Sequence, residues 1–114
     1  MKEKAMREVI LAQLCALRAD AGAELVACKD ESVGDYLTGK ADALAVAMQM
    51  VESKALLESM ANFLRHEETR NMNMAESDRL CSKDTMARLR EGAAAGYMAA
   101  FRVVMEVREA NKYE

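Results

Sequence analysis

Residues 41 to 51 read ADALAVAMQMV and carry a single charge, on Asp42. A helix that is apolar around most of its circumference lies inside a protein, because a surface helix keeps a polar face toward water. Alanine and methionine are also strong helix formers. We therefore expect this segment to be the central helix of the molecule, with the other helices packed around it.

The composition of the whole chain favours helices in the same way. The 114 residues include no proline, five glycines, two phenylalanines and three tyrosines. The β-branched and aromatic residues that suit pleated sheets are scarce, whereas residues that lose little side-chain entropy in a helix are abundant. A chain of this length can bury a hydrophobic core without a metal or disulfide. We predict one all-α domain spanning residues 1–114.

Apolar residues at steps of three and four predict three long helices, at about residues 3–29, 33–66 and 75–111, in an up-down bundle. A fourth helix is expected if the third one breaks at Gly92. Ser32 and Asp35 resemble a capping box at the start of the second helix. The polar stretch from residue 65 to 76 predicts the second turn, with Asn73 as the next N-cap. The first helix is marked by Met6, Ile10, Leu14, Leu17, Ala21, Leu25 and Cys28.

Two segments resemble each other, GKADALAVAMQMVE at 39–52 and GYMAAFRVVMEVRE at 96–109. The similarity is compatible with duplication of a helical hairpin and with two core helices of similar composition. Both segments place small residues four apart, which lets two helices approach closely. We predict helix crossings there, within one molecule or across a two-fold axis. The small residues are Gly39, Ala43, Gly92, Gly96 and Ala100.

The net charge of −3, with acids and bases mixed along the chain, argues against a nucleic-acid binder. No stretch approaches about 18 uncharged apolar residues, so we expect no membrane span. The charged first residues also do not resemble a signal peptide. These features predict a cytoplasmic protein. Cys15, Cys28 and Cys81 lack metal-ligand spacing and are expected to be buried as small apolar residues.

The sequence contains no recognisable catalytic constellation. The single histidine, His66, has no second ligand three or four residues away, so we interpret it as part of a solvated turn. No cysteine has a partner histidine at a motif spacing, and no glycine-rich phosphate loop is present. We therefore predict no catalytic residue, no metal site, no cofactor and no enzymatic activity.

A group of basic residues in the third predicted helix is a candidate anion site. Acidic residues interleave with it, so an ordinary solvated face is the alternative interpretation. If it binds a ligand, we expect a small anion such as a signalling nucleotide, with an aromatic residue as a stacking surface. The candidate residues are Arg79, Lys83, Arg88, Arg90 and Tyr97.

Methionine is unusually frequent, with ten residues. Methionine fills irregular gaps in cores, and in exposed positions it makes adaptable binding surfaces. Met72 and Met74 lie in the predicted polar turn, where no core is expected. They are candidates for contact with a partner, although a turn folded over the bundle would bury them equally well.

The Gly-xxx-Ala-Leu/Phe pattern in the segments 39–52 and 96–109 resembles that of short all-helical proteins encoded by bacteriophages, including accessory and anti-defence proteins. The resemblance covers about a quarter of the chain. It implies binding to a host protein, in the host cytoplasm, or sequestration of a nucleotide. Long helices with more than one apolar face also predict a homo-oligomer. Our leading hypothesis is a non-enzymatic interaction protein that inhibits a host defence system, and the alternative is an oligomeric nucleotide sponge.

Overall fold

The computed structural model describes residues 2–112. Within this range the chain forms four helices: α1 (Lys2–Ala27), α2 (Glu31–Glu52), α3 (Leu57–Leu80) and α4 (Asp84–Ala110). The described residues contain no strand. The predicted all-α class is confirmed, but the number of helices is four rather than three.

The predicted helix over residues 33–66 is wrong, because the chain turns between Ser53 and Leu56. Lys54 adopts a left-handed conformation with φ of 63°. The amides of Lys54 and Ala55 donate to the carbonyl oxygens of Val51 and Met50, at 3.1 and 3.3 Å. These two bonds form a Schellman motif, in which glycine usually takes the left-handed position. A lysine in that position gave no turn signal in the sequence.

The turn predicted at residues 65–76 is also wrong, since all of these residues lie inside α3. Asn73 is therefore not an N-cap. The turn lies between Leu80 and Asp84, where Ser82 has a φ of 60° and forms a second Schellman motif. Its amide donates to Arg79, and the amide of Lys83 donates to Asp78. Gly92 does not break the last helix, because α4 runs through it without interruption.

The start of α2 is fixed by Asp30 rather than by a Ser32–Asp35 capping box. The Asp30 carboxylate accepts hydrogen bonds from the backbone N–H of Ser32 at 2.9 Å and of Val33 at 3.4 Å, and from the Ser32 hydroxyl at 2.6 Å. These bonds satisfy amides at the first turn of the helix, which have no partner inside it. They also hold the pKa of Asp30 below its ordinary value, because they stabilise the ionised carboxylate.

Helices α2 and α4 form the centre of the molecule and share its largest interface. Gly92 faces the backbone of Tyr36 and Lys40, and Gly96 faces Lys40 and Ala43. Because residue numbers rise together in both helices, the two helices run parallel. In an up-down bundle of four helices, the second and fourth helices lie diagonally across from each other and do not usually touch. Here the glycines remove the side chains that would separate them.

Helices α1 and α3 flank this central pair. The main neighbour of α1 is α2 and that of α3 is α4, and α1 and α3 do not pack on each other within residues 2–112. The Arg7 guanidinium ties the start of α1 to the α2–α3 turn by donating to the carbonyl oxygen of Ala55.

Among the helices of residues 2–112, none combines the length and apolar character needed to cross a bilayer. The largest fully buried side chains are those of Ile10, Leu14, Leu44, Met60, Leu64 and Val104.

Candidate partner-binding groove

A long groove runs between α3 and α4 on the outer side of the molecule. At one end it widens into a cavity of about 610 Å³ that is lined by Arg65, Phe101 and Arg108. At the other end a cavity of about 340 Å³ is lined by Met72, Met98 and the neighbouring Tyr36 of α2. The lining residues follow each other at steps of three and four on both helices, so the two cavities lie end to end along the same side of the helix pair, and we infer that they form one groove. We call this surface the α3–α4 groove. It is lined by Glu58, Ala61, Asn62, Arg65, His66, Glu68, Thr69, Met72, Glu91, Ala94, Ala95, Met98, Phe101, Met105 and Arg108, with Tyr36 at its edge.

The floor of the α3–α4 groove is apolar and rich in methionine. Met72 is 50% exposed and Met105 is 41% exposed, while Met98 and Phe101 are half-buried. Flexible thioether side chains adapt to the shape of a bound partner at little energetic cost. The groove therefore offers a deformable apolar surface to another molecule.

The two ends of the α3–α4 groove differ in charge. Arg65 lies over the Phe101 ring at 5.5 Å from its centroid, and Arg108 contacts the Met105 sulfur at 4.0 Å. Neither arginine has a carboxylate partner among residues 2–112. The opposite end carries Glu68 and Glu91. Glu58 also lines the end with the two arginines, and Glu91 is paired with Arg79, so the first end keeps a small excess of positive charge and the second a small excess of negative charge.

The arginines predicted to bind an anion are instead paired with carboxylates of the chain. Arg88 donates to Asp35 of α2 at 2.9 and 3.1 Å. Arg79 pairs with Glu91, and Arg90 lies 3.7 Å from Asp78. These pairs connect α4 to α2 and α3, so the three arginines join helices. Lys83, the fourth predicted cation, is an exposed residue at the start of α4.

Tyr97, the predicted stacking residue, is only 9% exposed. Its ring packs edge-on against Phe63, with the ring centroids 6.4 Å apart. Burial raises the pKa of the Tyr97 phenol, and the nearby Glu67 carboxylate raises it further. Tyr97 lines a separate, smaller cavity between α2, α3 and α4, which it shares with Glu67 and Arg90. The structure therefore does not bring Tyr97 together with an unpaired cation.

The two methionines predicted to contact a partner lie on different sides of α3. Met72 lines the α3–α4 groove, whereas Met74 is half-buried and lines no part of it. Sequence reasoning missed Arg65, Met98, Phe101 and Arg108, because it placed Arg65 in a turn and considered only the core positions of the last helix. The signal was present, since residues 98, 101, 105 and 108 recur at steps of three and four on one face of α4.

The remaining candidate residues form no chemical site. Cys15 and Cys81 are exposed and Cys28 is half-buried, so the expectation that all three are buried is wrong. His66 is exposed on α3 rather than in a turn. Within residues 2–112, no three His, Cys, Asp or Glu side chains are arranged to hold a metal ion.

Comparison with known proteins returned no match: no family model, no curated protein and no solved structure is significantly similar to this chain.

Proposed function

We propose that this chain is a non-enzymatic interaction protein that binds a partner protein in the α3–α4 groove. The observation that carries the proposal is the row of exposed or half-buried apolar side chains along the groove floor: Met72, Met98, Phe101 and Met105. Exposed apolar side chains with polar residues around them are typical of protein-binding sites. The resemblance to phage-encoded inhibitors implies a host protein, such as a defence component, as the partner.

The same proposal includes self-association, for which α1 provides a second surface. The outer side of α1 carries alanine and valine at alternating steps of four and three, and every one of these residues is exposed. This spacing is that of a coiled-coil seam, and small residues in it allow close helix packing. We propose that two copies meet along this seam. It consists of Ala5, Val9, Ala12, Ala16, Ala19, Ala23 and Val26.

The partner-binding proposal is tested by comparing two methionines of similar exposure. Met72 lies in the α3–α4 groove, and Met86, which is 42% exposed, lies in the separate cavity between α2, α3 and α4. The tagged chain and the variants Met72→Asp and Met86→Asp are used to capture proteins from a lysate of the bacterial host. We expect one protein to be captured by the native chain and by Met86→Asp, and to be lost with Met72→Asp.

Equal capture by both variants would contradict the groove as the binding site. The melting temperatures of both variants are measured as well. A variant that loses the partner because it unfolds would also show a lower melting temperature.

Binding of a small anionic ligand is the second candidate function. It is favoured by the unpaired Arg65 and Arg108 beside Phe101, not by the arginines at residues 79, 88 and 90. A ligand that binds only the folded chain raises its melting temperature. Thermal-shift measurements with mononucleotides and cyclic dinucleotides test this function, and no shift with any of them would remove it.

A further inference from the structure

We propose that the occupant of the α3–α4 groove is an amphipathic helix with acidic side chains beside Arg65 and Arg108. This inference rests on the proposed protein-binding function and specifies the chemistry of the partner.

The dimensions of the groove match a helix. Its lining extends from Glu58 to Met72 on α3 and from Glu91 to Arg108 on α4. At 1.5 Å per residue these stretches are about 21 and about 25 Å long, which is the length of a helix of four to five turns. Ala95, which is half-buried, lies within the second stretch, and its small side chain leaves room for a helix to approach α4. A nucleotide would fill only part of this length.

The apolar floor also has the spacing that a helix requires. Met98, Phe101 and Met105 follow one another at steps of three and four along α4, and Met72 faces them from α3. An amphipathic helix presents apolar residues at the same steps, so its side chains fit between those of the groove. The partner helix is therefore expected to carry large aliphatic residues at positions i, i+3 or i+4, and i+7.

The charged residues of the α3–α4 groove determine which charges the partner helix must carry. Burial under a partner would remove Arg65 and Arg108 from water. Neither forms an ion pair among residues 2–112, and Glu58, which lines the same end of the groove, could balance only one of the two charges. A charge removed from water without a counter-charge is strongly destabilising, so a partner that covers these arginines must supply carboxylates. At the opposite end Glu68 excludes a second acidic cluster. The matching helix is acidic in the half that lies on the arginines.

A pair of peptides tests this inference with the full chain. The probe is a fluorescent 16-residue helical peptide with leucine at steps of three and four and three glutamates in one half. The matched peptide carries lysine in place of each glutamate. Fluorescence anisotropy is expected to show binding of the glutamate peptide at least tenfold more tightly than the lysine peptide. Arg65→Glu combined with Arg108→Glu is expected to reverse this preference.

The control variant combines Arg18→Glu with Lys29→Glu, which makes the same change in net charge at exposed positions outside the groove. It is expected to keep the native preference. Equal binding of the two peptides, no binding of either, or an unchanged preference in the Arg65 and Arg108 variant would overturn the inference. Displacement of the glutamate peptide by a nucleotide at equal concentration would also overturn it. If Met72→Asp still abolishes partner capture, the groove remains a protein-binding site and only the acidic helix is rejected.

Discussion

Gly92 is the residue at which α2 and α4 approach each other most closely. A Cβ atom at this position would overlap the carbonyl oxygen of Tyr36, and one at Gly39 would overlap that of Leu89. A side chain at either position would therefore push the opposing helix away, because the backbone atoms it meets cannot move aside as a flexible side chain can. Gly22, in contrast, has no atom within 4 Å of the position its Cβ would take.

This contrast gives the first prediction. We expect Gly92→Ala to lower the free energy of unfolding by on the order of 3 kcal/mol or more, because the two central helices must separate. Gly22→Ala is its matched control, and it should raise the free energy of unfolding by about 1 kcal/mol, since alanine is the better helix former. Urea denaturation followed by circular dichroism measures both. Similar stability of the two variants would contradict the close packing of α2 against α4.

At the same scale, the sequence could predict which small residues allow a close approach but not which charges are unpaired. Gly39 and Ala43, like Gly92, Gly96 and Ala100, stand four residues apart, a spacing that is visible in the sequence. The partners of Arg88 and Arg79 are Asp35 and Glu91, at 53 and 12 residues' distance. Such pairs depend on which helices become neighbours, and helical periodicity carries no information about that.

At the scale of the elements, both turns that end α2 and α3 use a residue other than glycine in the left-handed position. Lys54 and Ser82 hold φ values of 63° and 60°. Side chains with a Cβ atom pay about 1–2 kcal/mol for this conformation. Because helix ends are recognised in a sequence mainly by glycine or proline, these two turns could not be located from the residue pattern.

We therefore predict that Lys54→Gly and Ser82→Gly each stabilise the protein. The gain should be about 0.5–1 kcal/mol, because part of the relief is offset by the greater freedom of glycine in the unfolded chain. Ser59→Gly, at an exposed position inside α3, should instead destabilise it by about 0.5 kcal/mol. Differential scanning calorimetry distinguishes these signs. A loss of stability in Lys54→Gly would show that the turn does not have the left-handed geometry.

The N-cap of α2 gives a prediction that depends on pH. Asp30→Ala should lower the melting temperature at pH 7, because the amides of Ser32 and Val33 lose their acceptor. Hydrogen bonds to Asp30 lower its pKa in the folded chain below the ordinary value of 3.8. Its stabilising contribution is therefore complete above that value and is lost as the pH falls through the lower folded pKa.

The difference in melting temperature between native chain and Asp30→Ala should accordingly shrink below pH 3.8. Asp20→Ala, at an exposed position within α1, is the control and should change little at any pH. A difference for Asp30→Ala that stays constant from pH 7 to pH 2 would contradict the cap.

At the scale of the whole molecule, the buried face of α1 and the apolar character of α2 were sufficient to predict an all-α bundle. They were not sufficient to show that α2 and α4 touch along the diagonal. That contact moves α1 and α3 to opposite sides of the central pair, so the outer face of α1 and the α3–α4 groove stay uncovered. The candidate site follows from this arrangement, which is why the sequence indicated Met72 but not the residues of α4 beside it.

The exposed seam of α1 predicts a dimer. We expect light scattering at micromolar concentration to give twice the mass of the chain. Ala16→Glu, at the middle of the seam, should give a monomer because a buried charge would face the second copy. Ala110→Glu, the same substitution at an exposed position at the end of α4, should leave the dimer intact. A native monomer at these concentrations would show that α1 is not an interface.

Methionine footprinting tests the binding of a partner in the α3–α4 groove most directly, because methionines lie both inside and outside the groove. Oxidation rates of individual methionines are measured by mass spectrometry in the free chain and in its complex with the captured partner, since exposed thioethers oxidise readily. The proposed function predicts that Met72, Met98 and Met105 are protected in the complex while Met86 oxidises at its original rate. Protection of Met86 with unchanged oxidation of those three methionines would contradict it.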